Sequence, residues 1–341
     1  MKKFHVYSII TGIALLFFLI WKIGPRELWR DLTLLGWGLL PMILLEGLVD
    51  LFNTIGWRYC LSGPHRSLPF FQIFCIRLAG TSINYLTPTA TLGGEIIKGS
   101  LLSLNHQGPQ AAAGVIIGKL SYTLAQLIFV VLGSFFVLWK IELPVGVWVA
   151  MLAGSTLLGA GLLGFLAVQK YGKLGAIVRW LMVHKVGGKA LEKVEHHITK
   201  VDNELKIFYK KHPQNLTLSM FWHTIGMACS IMKCWYFLFI MIDHASFLMA
   251  VGIWFLGSWI DLVGFAIPSK IGLLEGTLVI IFRLFGLQSA LGFTYGIALR
   301  LEQIFWAGVG LLIYTALLGK KRERKLFPSK RAKGDTPWHT H

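Results

Sequence analysis

The sequence predicts an all-α fold, a polytopic integral membrane bundle, and three observations carry that prediction. The first is composition. The chain has 341 residues, 55% of them hydrophobic and only 14% charged, and its mean hydropathy is +0.63. A soluble domain of this length has no core large enough for so much apolar content. The second is run length, because several apolar stretches exceed the ~20 residues that cross a hydrocarbon core. They are continuous rather than alternating, which argues against a membrane β-barrel. The third is a pair of interruptions, Pro88-Thr-Ala-Thr-Leu-Gly93-Gly94-Glu95 and Pro268-Ser-Lys-Ile-Gly272-Leu-Leu-Glu275-Gly276. Apolar segments broken by Pro and Gly in both halves of a membrane protein point to a binding site inside the bilayer.

The elements follow in order. Lys2-Lys3 precede an apolar core with no small-residue cleavage site after it, so His5–Ile23 is expected as a retained first membrane helix. A short polar link spans Pro25 to Asp31. The second helix covers Gly36–Leu61 and sets Glu46, Asp50 and Asn53 on one face. The third, Phe70–Leu86, carries Arg77 and Asn84 and runs into the first break. The apolar piece after it, Ile96–Leu104, is too short to span and is expected to be re-entrant. Gln110–Trp139, with Lys119, Tyr122 and Gln126, and Val145–Gln169 are the next two spans.

From Lys170 to Gln214 the chain is polar and basic. Within it Leu191, Val194, Ile198, Val201, Leu205 and Phe208 recur at spacings of 3, 4, 3, 4 and 3. That pattern is an amphipathic helix, bounded by Gly187-Gly188 and His212-Pro213, and its lysines suit the cytoplasmic membrane surface. A coiled-coil dimer is the alternative. Spans at Leu216–Ile242 and at Phe247–Ile267, which carries Asp261, lead into the second break and its short piece, Leu273–Leu287. The last helix, Ala290–Leu318, bears Arg300, Glu302 and Gln303. Residues 1–319 form the membrane domain and 320–341 a basic tail.

Lysine and arginine placement puts both termini and the basic 170–214 segment in the cytoplasm of a cell whose inner, cytoplasmic membrane the chain would span. The first link, with Lys22, Arg26 and Arg30, runs against that rule. On this topology, helix, break, short piece and long helix occur twice with opposite polarity, at about 70–139 and 247–318. That arrangement predicts an inverted repeat. The two breaks are expected to approach each other at mid-membrane.

The formal net charge of +17 is assigned to anionic lipid headgroups at the basic segments rather than to nucleic acid. Cys60, Cys75, Cys229 and Cys234 form no C-x-x-C pair and read as small apolar residues. His196-His197 with Glu192, and His339 and His341, read as solvated rather than metal-binding. No P-loop, H-E-x-x-H or G-x-S-x-G motif is present. No cofactor is expected, and a homo-oligomer is left open.

With these residues in view, the chain resembles the lysylphosphatidylglycerol synthase transmembrane-region family of flippase-like membrane proteins. The resemblance rests on Asn84-Tyr-Leu-Thr-Pro88 with Gly93-Gly94-Glu95, on Pro268 with Gly272-Leu-Leu-Glu275-Gly276, and on Phe285-Gly286-Leu287 through Arg300. It extends to about Leu318. In bifunctional members a soluble transferase domain follows; here a basic tail does. The resemblance therefore implies a non-enzymatic, translocase-like half that moves a polar-headed lipid between leaflets. Its substrates would be anionic or aminoacylated phospholipids, or isoprenoid- or hopanoid-type lipids. The chain departs from the expected pattern at Lys119-Leu-Ser-Tyr122, where an acidic residue or arginine is expected.

The substrate-binding candidates are Asn84, Pro88, Gly93, Gly94, Glu95, Lys119, Pro268, Gly272, Glu275 and Arg300. Freed N–H groups at a half-helix N-terminus attract phosphate, glycines allow close approach, and Pro can start a short helix. Glu95 and Glu275 read either as contacts for a cationic headgroup or a proton, or as ion pairs to Arg77, Lys119 or Arg300 that lock each turn. Arg300 reads either as a phosphate fork or as the partner of Asp261 or Glu275. Lys98 and Lys270 are expected to snorkel to an interface. Glu46 and Asp50 read either as an acid–base pair or proton relay or, the favoured reading, as polar residues facing the bundle interior and hydrogen-bonded there. Two rival functions stay open: an integral-membrane transferase using Glu95 or Glu275 as base, and a small-solute secondary transporter.

Overall fold

The computed structural model describes Trp21 and residues 25–86, 92–103, 108–140, 145–171, 195–263 and 272–326. Among them there are eleven α-helices and no strand. They are α1 (Pro25–Leu35), α2 (Leu39–Cys60), α3 (Phe70–Leu86), α4 (Leu92–Leu102), α5 (Gly108–Lys140), α6 (Val145–Lys170), α7 (Glu195–Lys211), α8 (Pro213–Met241), α9 (Phe247–Val263), α10 (Leu273–Leu284) and α11 (Ser289–Leu326). The expected first helix at 5–23, Pro88, Pro268, Lys270, Glu192 and the tail histidines lie outside the described residues.

Five stretches are long and apolar enough to cross a membrane: Pro25–Cys60, Gly108–Gly133, Met151–Val168, Pro213–Met241 and Ser289–Gly319. α4 and α10 are different. Their 11 and 12 residues reach only about 17–18 Å at helical rise, well short of the ~30 Å hydrocarbon core. Large apolar side chains such as Leu44, Ile128, Leu132, Leu157, Phe239, Ile304 and Leu312 lie exposed on the outside. In water that surface would drive association; in a multi-pass membrane protein it faces lipid.

Two predictions are corrected here. The link at Pro25–Asp31 is the helix α1, because Pro25 opens it at the first helical position, where a missing N–H costs nothing. The apolar stripe of α7 meets protein rather than the membrane surface. Leu205 and Phe208 are fully buried in a cluster with Trp57, Ile73, Leu101, Leu102 and Ile117, while Lys206, Lys210 and Lys211 stay exposed.

α2 and α8 make the most extensive helix pair in the bundle, and α3 with α11 the next. One apolar cluster joins Met42 of α2 to Ile231, Cys234, Phe255, Phe282 and Tyr295. The other joins Trp57 of the same helix to α3, α4, α5 and α7. The stretch of α2 between them, from Glu46 to Asn53, carries the polar residues. Close helix contact relies on small residues, as membrane bundles require without a hydrophobic drive between helices. A side chain at Gly47 would strike Trp306, and one at Gly118 would strike Trp57.

Candidate functional site

At the first break, α3 and α4 touch through their backbones. A Cβ on Gly94 would collide with the Gly80 carbonyl oxygen, and one on Gly80 would lie 2.8 Å from the Gly94 carbonyl oxygen. Asn84 Oδ1 accepts the Gly94 N–H at 2.6 Å. This corrects the reading of Gly94 as an approach for ligand, since a neighbouring helix fills that space and Asn84 takes the N–H. Gly93 is half-buried beside it.

The charges here are mostly buried, with part of their surface open. Lys98 Nζ donates to Glu95 Oε1 at 3.0 Å, with the two side chains 13% and 16% exposed. The same ammonium lies 5.8 Å from the centre of the Trp57 ring, a cation–π distance. Lys98 therefore does not snorkel; a carboxylate one turn back and an aromatic face hold it inside. It lies within electrostatic reach of Arg77 and of Lys119, and Lys119 occupies an exposed face of α5.

The second break is closed by its own carboxylate. Gly272 stands at φ +76°, where only glycine is at ease. Its N–H donates to Glu275 Oε2 at 2.8 Å. Arg300 Nε donates to Glu275 Oε1 at 2.7 Å, and Arg300 Nη1 donates to Gln303 Oε1 at 3.2 Å. Glu275 is 1% exposed. Of the alternatives open for Glu275 and Arg300, the geometry supports the structural ion pair. Gly296 seats α11 against this site, since a Cβ there would lie 3.1 Å from Glu275 Cγ. Farther along α11, Gly310 meets the Leu78 carbonyl of α3. One long helix thus holds both elements, while any meeting of the breaks themselves rests on residues outside those described.

Between the two apolar clusters lies a charged group that the sequence reading only half found. Lys233 Nζ of α8 donates to Glu46 Oε2 of α2 at 2.7 Å and to Glu302 Oε1 of α11 at 2.6 Å. Arg77 of α3 pairs with Asp50 of α2. Asn53 Oδ1 meets His223 Nδ1 of α8 at 2.7 Å. Glu46 and Asp50 face the interior as expected. Lys233 and His223 were missed, although a lysine inside the apolar run Cys229–Trp235 is itself a signal. Exposure falls across the group: Glu46 is 21% exposed, while Lys233 and Glu302 are 5% and 3%. The charged region is thus more open at Glu46 of α2, Arg77 of α3 and Glu95 and Lys98 of α4 than at Lys233 of α8 and Glu302 of α11.

A separate cavity of about 390 Å³ lies between α5, α6 and α9, lined by residues including Leu127, Leu132, Trp148, Met151, Ser155 and Trp259. Its hydroxyls turn inward on their own helix, Ser155 to Met151 O and Thr156 to Leu152 O. It offers hydrocarbon and no charge. Among the described residues no cluster suits a metal ion, and all four cysteines are free thiols.

Comparison with known proteins agrees with this architecture. The family described as the lysylphosphatidylglycerol synthase TM region matches residues 6–311. The UPF0104 membrane protein MJ1595 of Methanocaldococcus jannaschii is 23% identical over 291 residues, which cover 82% of this chain and 84% of that protein. No solved structure matches.

Proposed function

The chain belongs to the lysylphosphatidylglycerol synthase transmembrane-region family, and from that premise we propose that it moves a polar-headed lipid between leaflets. The lipid is an anionic or aminoacylated phospholipid, or an isoprenoid- or hopanoid-type lipid. One observation carries this reading: charged side chains from α2, α3, α4, α8 and α11 gather inside an apolar bundle and are more open at Glu46, Arg77, Glu95 and Lys98. Intramembrane charge is expensive to maintain and marks substrate pathways. A translocase must shield a headgroup while the acyl chains stay in lipid, and that more open part suits the task. Arg77, Lys98 and Lys119 offer positive charge to a phosphate, and Glu95 and Glu46 offer negative charge to an amino group. The apolar cavity at α5, α6 and α9 suits a hydrocarbon chain.

In this reading α4 and α10 are re-entrant members of an inverted repeat, and the basic ends face the cytoplasm. The headgroup is met by side chains more than by helix N-termini, because the Gly94 and Gly272 N–H groups already have protein acceptors. No covalent product forms and no cofactor is needed.

The test is a leaflet-resolved assay of labelled lipids in vesicles containing the native protein, Glu95→Gln or Lys98→Gln. A lost charged contact of about 1.4 kcal/mol or more slows movement roughly tenfold or more. Unchanged movement of every anionic and aminoacylated lipid in both variants would sink the proposal. A new lipid species in the vesicles would favour a transferase instead. Uptake of a soluble solute without lipid movement would favour a small-solute transporter.

A further inference from the structure

Glu46, Lys233 and Glu302 bring two carboxylates onto one ammonium. The neighbouring Arg77 is engaged by Asp50, so it leaves the sum unchanged. With every group ionised, one negative charge stays uncompensated inside the bundle. The two carboxyls also share one site, meeting the same Lys233 Nζ at 2.7 and 2.6 Å. Glu302 Oε2 is buried with no hydrogen-bond partner among the described residues. A buried carboxylate oxygen left bare is costly, and two carboxylates in contact in a low dielectric do not both ionise. A single proton on the pair answers all three facts: it neutralises the excess charge, turns one carboxyl into a donor to the other, and relieves the repulsion. A metal cation does not fit, because the Lys233 ammonium already fills the place between the carboxylates.

We propose that the Glu46–Glu302 pair, held on Lys233, is a proton-binding site that carries one exchangeable proton shared by two helices. Around it stand Lys233 from α8, Arg77 and Tyr85 from α3, Asp50 from α2, and Tyr295 from α11 with Cys234 of α8 beside it. The pair titrates as a unit. Proton loss weakens the bond between α2 and α11, because the two carboxylates then repel. The site also has a route to water, since Glu46 is the more exposed member. The proton supplies the chemical class of a coupling ion, whichever solute or lipid the protein moves.

The experiment is infrared difference spectroscopy of the full chain in lipid, with glutamate side chains carrying ¹³C at the carboxyl carbon. The native protein is expected to show a protonated-carboxyl band that shifts with the glutamate label and disappears as pH rises. Glu46→Gln and Glu302→Gln each abolish it, while Glu95→Gln retains it. Glutamine is chosen because its amide supplies permanently the donor that the proton supplies, so both variants should fold. Absence of a label-sensitive band in the native protein at every pH where it stays folded overturns the proposal, and that outcome needs no variant. Persistence of the band in both glutamine variants overturns it too. Lipid movement does not enter the readout, so failure here and failure of the translocase reading are distinguishable.

Discussion

At the first break, the preceding helix supplies the cap: Asn84 accepts the Gly94 N–H, and Glu95 turns to Lys98 on its own helix. At the second, the short helix caps itself through Glu275, which then takes Arg300 from the following helix. α4 accordingly leans mainly on the helix before it and α10 on the helix after it. The electrostatic contrast is as marked. The Glu275 carboxylate is sealed at 1% exposure, although its partner Arg300 keeps 20% of its surface open, whereas Glu95 and Lys98 keep 16% and 13%. A sealed carboxylate cannot give up its partner without leaving a bare charge inside, while a carboxylate with part of its surface open loses less when its partner changes. The second break therefore ties α10 to α11, and under the proposed function the first is the one that meets the headgroup. Two similar sequence motifs thus make different contacts.

Three substitutions and one control test that contrast. The largest effect is expected for Glu275→Ala, which strands the Arg300 guanidinium and frees the Gly272 N–H. Loss of about 3–5 kcal/mol is expected, seen as a lowered thermal unfolding midpoint in detergent. Next is Gly94→Val. The obstruction is the Gly80 carbonyl, a backbone atom that cannot swing aside, so a loss of about 3 kcal/mol is expected. Gly99→Ala, where no atom lies within 4 Å of the added carbon, should leave the midpoint unmoved. Of the three, the smallest stability effect is expected for Glu95→Gln, at most about 1 kcal/mol for a partly exposed pair, together with slowed lipid movement. If Glu95→Gln unfolds the protein as readily as Glu275→Ala, the division of labour between the breaks is wrong.

Much of the fold was legible because its signals are local. Phe70–Leu86 came out with both ends as predicted, since Pro69 and the Thr87-Pro88 step bracket a continuous apolar run. The α1 helix was misread as a link because its polar composition resembles a loop, although Pro25 at its first position and Asp31 buried against Thr294 hold it. The α7 stripe was found, but its partner was not, because an amphipathic face looks the same whether lipid or protein covers it. At the site, the candidates themselves were legible, since Pro, Gly and charge stand out in apolar runs. Their use was not, as Gly94 turns out to serve a helix crossing.

The sequence by itself determined the membrane class, the long apolar helices of α2, α5, α6, α8 and α11, the two interruptions and the residues too polar to face lipid. Each of these follows from composition over a window of at most a few turns. Only the tertiary structure decided who meets whom. Lys233 lies 187 residues from Glu46 and 69 from Glu302, and no local pattern encodes those meetings. They arise because α2, α8 and α11 must bury their charged positions against one another when their remaining surface meets apolar side chains or lipid. The cost of an unpaired charge in that medium selects partners only after the helices have come together.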